Sequence, residues 1–461
     1  MSDTDLNVDV ALEATIECAR KSPFYAERLR GVQARNPAEL RKVPLTTRSD
    51  LMAAGLHGMR ALPLEEVCHY GETSGTSGAG ANSTWLTAAD LSRSARAISK
   101  RHPDVFAPGH ILLNRFPFMA APAHLIQLIA QQGGGVAIPA GNINWDVPFP
   151  RALDLAQSTG ANVLAGFPLE PIVLAQLALA RGLDPAKDLP LDTFFLGGAP
   201  LPPVMQRRIE RIWGGRVIEL YGSTETMLLG TSCRARTLHL EPDLVHCEVL
   251  HPDSDEETAV GEEGRLIVTT LGIEGSPLVR LDTGDRVRRL PPCECGDPRP
   301  AIVVLGRESA VVEFQGRRLH SYDLVEAGAA AADALDSSVF FTVVLPDRLV
   351  IRIESEHGSG GDAYQAARSH LGDVNVEIET TEQNALLDVE KISRSPSVYK
   401  PVLVSDWRQS GRRILSVDQG MMEWTRPTLP ELWRWLMRGL RSSARGRRLA
   451  RDLRVAKDPG Q

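Results

Sequence analysis

The feature that most restricts the fold of this chain is an alternation between about residues 110 and 270. Short apolar runs take turns there with segments of helical spacing, and the runs include ILLNRF, ANVLAGF, DTFFLGG and RVIELYG. Strands that alternate with helices form βαβ units, in which consecutive strands run parallel. The sequence therefore predicts an α/β fold built on a mixed or parallel sheet.

The pattern changes after Gly306. Strand-like runs and two helical segments follow within about 100 residues, which is typical of a separate small α+β domain. Past Trp407 the spacing of Leu432, Trp435 and Leu440 predicts an amphipathic helix rich in arginine. We therefore expect three parts, which are a large N-terminal domain at 1–306, a small α+β C-terminal domain at 307–406 and a basic helical tail at 407–461.

Composition excludes several classes of protein. A chain of 461 residues with 43% hydrophobic residues is too long for one core. No apolar run approaches the ~20 residues of a membrane span, and the acidic opening MSDTDLNVDV differs from a signal peptide. We therefore expect a cytoplasmic protein without a membrane span.

Charge is unevenly distributed along the chain. The net charge of -7 argues against nucleic-acid binding, yet the chain from Arg408 onward holds 13 basic and 5 acidic residues. Three interpretations of this tail stay open, namely a cap on the small domain, a docking segment for an acidic carrier protein and a contact with an anionic membrane.

A loop rich in glycine and hydroxyl side chains occupies residues 70–80, which read YGETSGTSGAG. Glycines allow backbone N–H groups to approach phosphate oxygens closely, and the hydroxyls add further donors. The loop lacks the ending of a Walker motif, and a flexible linker is the alternative interpretation. The candidate phosphate-binding residues are Ser74, Gly75, Thr76, Ser77 and Gly78.

Three further segments carry polar groups at expected strand ends. In VIELYGSTE a buried strand leads directly into Tyr221 and Glu225, a position where α/β sheets bind ligands. In LVRLDTGDRV, Asp285 follows a tight Thr-Gly turn and can accept both hydroxyls of a ribose. Arg307 lies where the pattern changes. Each segment alone is also compatible with an ordinary turn.

Taken together, in this order and spacing, these motifs resemble the adenylate-forming superfamily of acyl-CoA ligases. The early segments KSPFYAERL and VPLTTRSDL resemble the start of phenylacetate–CoA ligases, and the resemblance covers residues 10–406. It implies activation of a carboxylic acid by ATP as an acyl-adenylate, with release of pyrophosphate. Transfer to a thiol follows, either coenzyme A or the phosphopantetheine of an acyl carrier protein, and the small domain turns about a hinge between the two steps.

The resemblance also implies roles for individual residues. Ser74 to Gly78 stand at the family's phosphate loop, Thr224 contacts the α-phosphate, and Glu225 holds Mg²⁺. The remaining nucleotide-binding residues are Gly198, Ala199, Tyr221 and Gly222 around the adenine, Asp285 on the ribose, and Arg307 beside the hinge at Glu308.

Two positions depart from the family pattern. Ala79 stands where the phosphate loop normally has lysine, and Val398 stands where the small domain normally has its lysine. Lys400 is the predicted catalytic replacement, with Lys391 as the alternative. The missing lysine position and the altered stretch at 316–319 leave open an amide ligase with an amine acceptor. Ala79 and Val398 together leave open a non-catalytic nucleotide-binding homologue.

Four residues form a candidate metal site. Cys233 and His239 are followed some fifty residues later by Cys293 and Cys295. Three sulfurs and one imidazole suit a structural Zn²⁺ ion in a closed tetrahedral site, and some phenylacetate–CoA ligase relatives show a similar pattern. The alternative is a set of reduced, unliganded cysteines.

The acyl pocket is the least defined part of the prediction. Phe118, His124 and Phe167 lie in segments comparable to those that line the substrate in relatives, and each can equally be a core residue. These residues indicate an aromatic or medium-sized carboxylic acid without naming it. The oligomeric state also stays open, with a homodimer as one possibility.

Overall fold

The computed structural model describes residues 8–72, 82–142, 146–355, 360–395, 401–408 and 413–423. Most of the predicted basic tail and all five candidate residues of the phosphate loop lie outside these ranges. Within the described residues, no helix combines the length and the apolarity that crossing a membrane requires.

The chain begins with short helices whose first turns are capped by side chains. Ser22, Asn36 and Thr47 each accept a hydrogen bond from a backbone N–H three residues later, which satisfies donors that a helix start leaves free. Proline in the first turn of the second and third helices needs no such acceptor. The helices are α1 (Val8–Ala19), α2 (Pro23–Arg28), α3 (Pro37–Leu40) and α4 (Arg48–Gly58).

The predicted alternation of strands and helices follows. A two-stranded hairpin and one helix lead into it, namely β1 (His69–Glu72), β2 (Ser83–Leu86) and α5 (Ala88–Arg101). The alternating elements are β3 (Ile111–Asn114), α6 (Ala121–Gln132), β4 (Val136–Pro139), α7 (Phe149–Thr159), β5 (Val163–Gly166), α8 (Glu170–Ala180), α9 (Pro185–Asp188), β6 (Thr193–Gly197), α10 (Pro203–Trp213) and β7 (Arg216–Ser223).

Six antiparallel strands extend this parallel sheet. They are β8 (Met227–Ser232), β9 (Leu238–Leu240), β10 (Val245–Leu250), β11 (Glu263–Thr270), β12 (Leu281–Arg289) and β13 (Ala301–Arg307). The resulting eleven-stranded sheet of the described residues has the order β10-β11-β12-β13-β9-β8-β7-β6-β5-β3-β4. Strands β3 to β7 pair in parallel and the others antiparallel, so the predicted mixed sheet is confirmed.

The last described part is smaller and has its own sheet. Its elements are β14 (Val312–Phe314), β15 (Arg317–Leu319), α11 (Ser321–Ala334), β16 (Phe340–Val344), β17 (Leu349–Glu354), α12 (Gly360–Leu371), β18 (Val376–Thr381), α13 (Val389–Arg394), β19 (Val404–Asp406) and α14 (Val417–Glu423). A four-stranded sheet runs in the order β18-β17-β16-β19. The predicted fold class, α/β followed by a smaller α+β part, is confirmed.

Buried apolar side chains link the two parts. One cluster joins Leu174 on α8 and Trp213 on α10 to Leu324 on α11 and Ile392 on α13. The small region, residues 307–423, therefore packs directly on the outer helices of the large region, residues 8–306. The domain boundary at 306 stays a prediction, because this core is continuous across it.

Candidate functional site

The ends of β6 and β7 place two predicted adenine segments side by side. These strands are parallel neighbours, with Gly197 opposite Leu220. A Cβ on Gly197 would lie 2.5 Å from the carbonyl oxygen of Leu220, so only glycine allows this approach. Gly198 and Ala199 follow β6 directly, next to Tyr221 near the end of β7.

A tight turn between β7 and β8 positions Thr224 and Glu225. The backbone N–H of Ser223 donates to Thr226 Oγ1 over 3.1 Å, and the backbone N–H of Thr226 donates to Ser223 Oγ over 3.2 Å. A Cβ on Gly222 would lie only 2.0 Å from the carbonyl oxygen of Met227, which makes glycine necessary. The turn is therefore fixed before any ligand arrives.

Three predicted nucleotide residues meet in one hydrogen-bonded group. The Tyr221 hydroxyl donates to Asp285 Oδ2 over 2.7 Å, and Arg307 Nε lies 2.9 Å from Asp285 Oδ1. Asp285 and Arg307 are directly opposite each other in the β12–β13 register. Arg307 Nη1 also donates to the carbonyl oxygen of Thr283 over 2.8 Å. The structure thus brings these residues together around one small cleft, which Glu225 also lines.

Burial and neighbouring charges determine which side chains of this group carry a proton. Burial, together with the carboxylate of Asp285, raises the pKa of the Tyr221 hydroxyl well above its ordinary value. The hydroxyl is therefore protonated and acts as the donor. Burial lowers the pKa of Arg307, but Asp285 and Glu225 outweigh it and raise that pKa above its ordinary value. Each oxygen of Asp285 has a donor, since Tyr221 engages one and Arg307 the other.

One carboxylate oxygen of Glu225 has the surroundings expected of a magnesium ligand. Its Oε2 atom is buried and makes no hydrogen bond in the described part of the chain. A buried carboxylate oxygen without a partner is costly, and a divalent cation compensates it. The residue therefore fits the Mg²⁺ role that the resemblance implies.

Two predicted elements cannot be placed. The phosphate loop, Ser74 to Gly78, lies outside the described residues between Glu72 on β1 and Ser83 on β2, which are paired with each other. Lys400 also lies outside them. The alternative lysine, Lys391 on α13, lies 2.7 Å from a carboxylate oxygen of Asp418, so its ammonium group is already paired.

The four predicted zinc ligands converge. One ligand atom from each of Cys233, His239, Cys293 and Cys295 lies within 4.8 Å of all the others. The sulfurs of Cys233 and Cys293 are 3.8 Å apart, and the Cys295 sulfur is 3.5 Å from His239 Nε2. Zn–S bonds of ~2.3 Å in a tetrahedron place sulfurs about 3.8 Å apart, so the cluster has the right size.

Backbone and side-chain groups around the cluster orient its ligands. His239 Nδ1 lies 3.2 Å from the carbonyl oxygen of Arg299, which leaves Nε2 as the free acceptor facing the sulfurs. The backbone N–H of Asp297 donates to the Cys295 sulfur over 3.5 Å. Arg299 is held in turn by fully buried Glu241, at 2.9 Å. The chemistry and spacing of these residues therefore fit a Zn²⁺ ion.

The three predicted acyl-pocket residues differ in their surroundings. Phe167 is buried and packs edge-on against Phe116, with ring centroids 5.6 Å apart. Phe118 is 41% exposed and its ring lies against Gly141. His124 stacks on His69 with ring centroids 4.9 Å apart. Their role in binding an acid stays a prediction.

Sequence reasoning missed a buried ion pair near this region. Arg115 and Glu170 lie 3.3 Å apart with side-chain exposures of 0% and 6%, and Arg115 also stacks over Phe149. Arg115 directly follows β3 and Glu170 begins α8. The only signal in the sequence was a charged residue inside each of two apolar runs.

A separate cavity of about 730 Å³ on the small sheet is lined by Trp407 and Lys391, among others, and by no predicted nucleotide residue.

Comparison with known proteins finds one family model and several ligases that are similar to this chain. Residues 62–273 match the family model described as AMP-binding enzyme. The phenylacetate–coenzyme A ligase of Thermus thermophilus is 27% identical over 307 residues, covering 64% of this chain and 68% of that protein. Three further proteins of that name match at 26–28% identity. These matches support the adenylate-forming superfamily of acid–thiol ligases, in its phenylacetate–CoA ligase-like branch, as the family that this chain resembles.

Solved structures agree on the fold. A 2-hydroxyisobutyryl-CoA ligase in the postadenylation state, with R3-HIB-AMP, superposes with a TM-score of 0.75 at 20% identity, covering 87% of this chain and 89% of that one. The same ligase in the thioesterification state, with 2-HIB-AMP and CoA, gives a TM-score of 0.61 at 20% identity, covering 87% and 88%. The shared fold includes the small region.

Proposed function

We propose that this protein activates an aryl or medium-sized carboxylic acid with ATP and transfers the acyl group to a thiol. The observation that carries the proposal is the group formed by Tyr221, Asp285 and Arg307 next to the turn of Thr224 and Glu225. These residues offer a stacking face, a ribose acceptor, a cation and a metal ligand around one cleft.

The reaction has two steps. In the first, an oxygen of the substrate carboxylate bonds to the α-phosphorus of ATP while the bond to pyrophosphate breaks. In the second, a thiolate sulfur bonds to the acyl carbon and AMP leaves with the electron pair. The first step brings two anions together, so positive charge and fixed donors must offset their repulsion.

Each residue of the cleft has a proposed task in these steps. Asp285 accepts the ribose hydroxyls, and Tyr221 holds the carboxylate of Asp285 while its ring contacts the adenine. Thr224 donates to the α-phosphate. Arg307 supplies a positive charge and marks the start of the hinge at Glu308. Mg²⁺ held by Glu225 would neutralise phosphate charge when bound.

The acceptor thiol is proposed to be coenzyme A. The relatives of this chain are named as coenzyme A ligases, and the chain covers about two thirds of their length. An acyl carrier protein with phosphopantetheine presents the same thiol and is the alternative acceptor. The pocket of Phe118, His124 and Phe167 is proposed to receive the acid.

We further propose that Cys233, His239, Cys293 and Cys295 hold a structural Zn²⁺. Cys233 follows β8 and His239 lies on β9, whereas Cys293 and Cys295 lie in the loop between β12 and β13. A metal with these four ligands would tie that loop to the strands that continue from the nucleotide turn. Because protein atoms would occupy all four coordination positions of the ion, it would have no catalytic task.

The test is pyrophosphate release from purified protein with ATP, Mg²⁺ and a panel of aryl and aliphatic acids, each with and without coenzyme A. The expected result is release that depends on one class of acid and rises with coenzyme A. Acid-dependent release that coenzyme A does not change would indicate that the acyl acceptor is a carrier protein or an amine. Binding of ATP without release for every acid would refute catalysis.

A further inference from the structure

One arginine makes three polar contacts between the two regions. Arg208 on α10 directs all three of its guanidinium nitrogens at the short segment that follows α11. Nη1 lies 2.6 Å from Asp336 Oδ1, Nη2 donates to the Asp336 carbonyl oxygen over 2.6 Å, and Nε donates to Ser338 Oγ over 2.9 Å. A planar guanidinium that uses three nitrogens at once fixes orientation as well as charge.

The receiving segment has an unusual backbone. Asp336 has a φ of 54°, in the left-handed region that aspartate tolerates better than most residues. This conformation lets its carbonyl oxygen and its carboxylate accept from the same guanidinium. Arg211, also on α10, lies 2.9 Å from Asp333 in the last turn of α11 and extends the contact. The Arg208 side chain is 14% exposed and that of Asp336 is 92% exposed, so solvent screens their charge attraction and the geometry of the hydrogen bonds carries the contact.

A second contact holds the other end of the same helix. His320, which directly precedes α11 and is 4% exposed, lies with Nε2 3.0 Å from Glu263 Oε2 on β11. Arg318 lies 3.7 Å from Glu263 Oε1 and 2.9 Å from Glu308 at the junction. Arg286 of β12 also pairs with Glu308.

Helix α11 is therefore fixed to the large region at both of its ends. Its fourteen residues separate the two contacts by about 21 Å at 1.5 Å per residue. Two fixed points at that distance define the direction of the helix. The small region cannot turn about residues 307–308 without breaking the contact of Arg208, the contact of Glu263, or both.

The orientation that these contacts hold is closer to one known state than to the other. The 2-hydroxyisobutyryl-CoA ligase gives a TM-score of 0.75 in its postadenylation state and 0.61 in its thioesterification state, over the same 87% of this chain. The described arrangement therefore corresponds to the adenylate side of the reaction.

We propose that Arg208 and Glu263 are positioning residues that hold the small region in the orientation for adenylate formation and must release it before thioester transfer. This inference rests on the proposed function. Neither residue lines the cleft that the described residues form around Tyr221 and Asp285, and both act through the direction of α11. Weakening either contact should slow the first step and leave the second step unchanged or faster.

The test uses Arg208→Lys, which keeps the charge and the helix propensity but loses the planar fork. The full-length protein would be assayed separately for acid-dependent ATP–pyrophosphate exchange and for thioester formation from preformed acyl-adenylate. We expect the ratio of the two rates to shift about ten-fold toward the thioester step, as the loss of charged hydrogen bonds implies. The matched control is Arg181→Lys, because Arg181 pairs with Asp154 at 2.7 Å entirely within the large region.

A second variant and a second readout keep the inference separate from folding and from the proposed function. Glu263→Gln, at the other end of α11, should shift the ratio in the same direction, and thermal unfolding would verify that each variant is folded. Hydrogen exchange at the amides of residues 306–311 should rise in both variants and not in the control. If the wild type makes no adenylate, the proposed function fails. Hydrogen exchange alone then tests whether the two contacts hold the small region in place. Equal changes in both half-reactions, or no change in exchange, would overturn the inference.

Discussion

The phenolic hydroxyl of Tyr221 donates to Asp285 Oδ2 over 2.7 Å, across 64 residues of sequence. Arg307 engages the other oxygen of the same carboxylate at 2.9 Å. The three residues come from β7, β12 and β13, which are not all neighbours in the sheet. The carboxylate is thereby fixed in position before a ribose arrives, which reduces the entropy lost on binding.

We predict that Asp285→Asn weakens ATP use far more than Tyr221→Phe does. The first change removes the charged acceptor of the ribose hydroxyls and leaves the half-buried Arg307 without its counter-charge. The second removes one donor to a carboxylate that keeps Arg307. A lost hydrogen bond to a charged group costs about 1.5–3 kcal/mol, so Asp285→Asn should raise the KM for ATP about ten-fold or more. Steady-state kinetics with varied ATP measure this, and equal effects of the two changes would contradict the assigned order.

The sequence indicated that the residues of the polar cleft would converge, and it did not indicate several ion pairs within and between the two regions. Tyr221, Asp285 and Arg307 each follow a recognisable strand or turn pattern, so their convergence at strand ends was predictable. The pairs Arg208–Asp336, Arg115–Glu170 and Glu263–His320 have no such pattern. Their partners are far apart in sequence and meet only because α8, α10 and α11 pack in one particular way, a result of side-chain packing that periodicity does not encode.

Zinc removal should destabilise the large region rather than block chemistry directly. We predict about one zinc per chain by elemental analysis, and loss of that metal in Cys293→Ser. Because structural zinc contributes binding free energy to folding, a strong chelator or this substitution should lower the melting temperature by several degrees. Cys247→Ser is the control, since Cys247 on β10 lies outside the cluster. A protein purified without metal and with the same melting temperature would contradict the zinc proposal.

Glu219 predicts a pH dependence of stability. Burial raises the pKa of this carboxyl on β7 to about 8, whereas an unfolded glutamate titrates near ~4.3. Between these values the folded chain holds a proton that the unfolded chain has lost. The free energy of unfolding therefore falls as pH rises through this window, by at most about 1.4 kcal/mol per pH unit.

The side chain of Glu219 keeps some solvent contact, which narrows the pH range over which the free energy of unfolding falls. The direction of the effect does not change. Glu219→Gln should remove this slope and leave the protein more stable than the wild type near pH 8. Urea unfolding between pH 5 and pH 8.5 measures it. Parallel curves for both proteins would show that Glu219 titrates normally.

The ion pair of Arg280 and Glu248 should be among the most sensitive points of the large region. Both side chains are 2% exposed and pair at 2.9 Å, and Arg280 Nη1 also donates to the carbonyl oxygens of Arg41 and Val43. Glu248→Gln leaves a buried guanidinium without its counter-charge, which costs about 3–5 kcal/mol. Urea unfolding should show this loss, whereas Glu17→Gln, which breaks an exposed pair with Arg20, should cost less than about 1 kcal/mol.

We predict different roles for the two lysines of the small region, a structural one for Lys391 and a catalytic one for Lys400. Lys391 pairs at 2.7 Å with Asp418, whose side chain is 5% exposed, and thereby joins α13 to the N-terminal end of α14. Breaking this pair leaves a buried carboxylate, so Lys391→Ala should reduce stability while adenylate formation per folded molecule stays close to wild type. Lys400→Ala should do the reverse, with unchanged thermal unfolding and a loss of pyrophosphate exchange of about a hundred-fold or more, as removal of a transition-state donor implies. If Lys400→Ala retains full exchange activity while Lys391→Ala loses it, the catalytic lysine is Lys391. Full activity in both variants would mean that this chain forms the adenylate without a lysine from the small region.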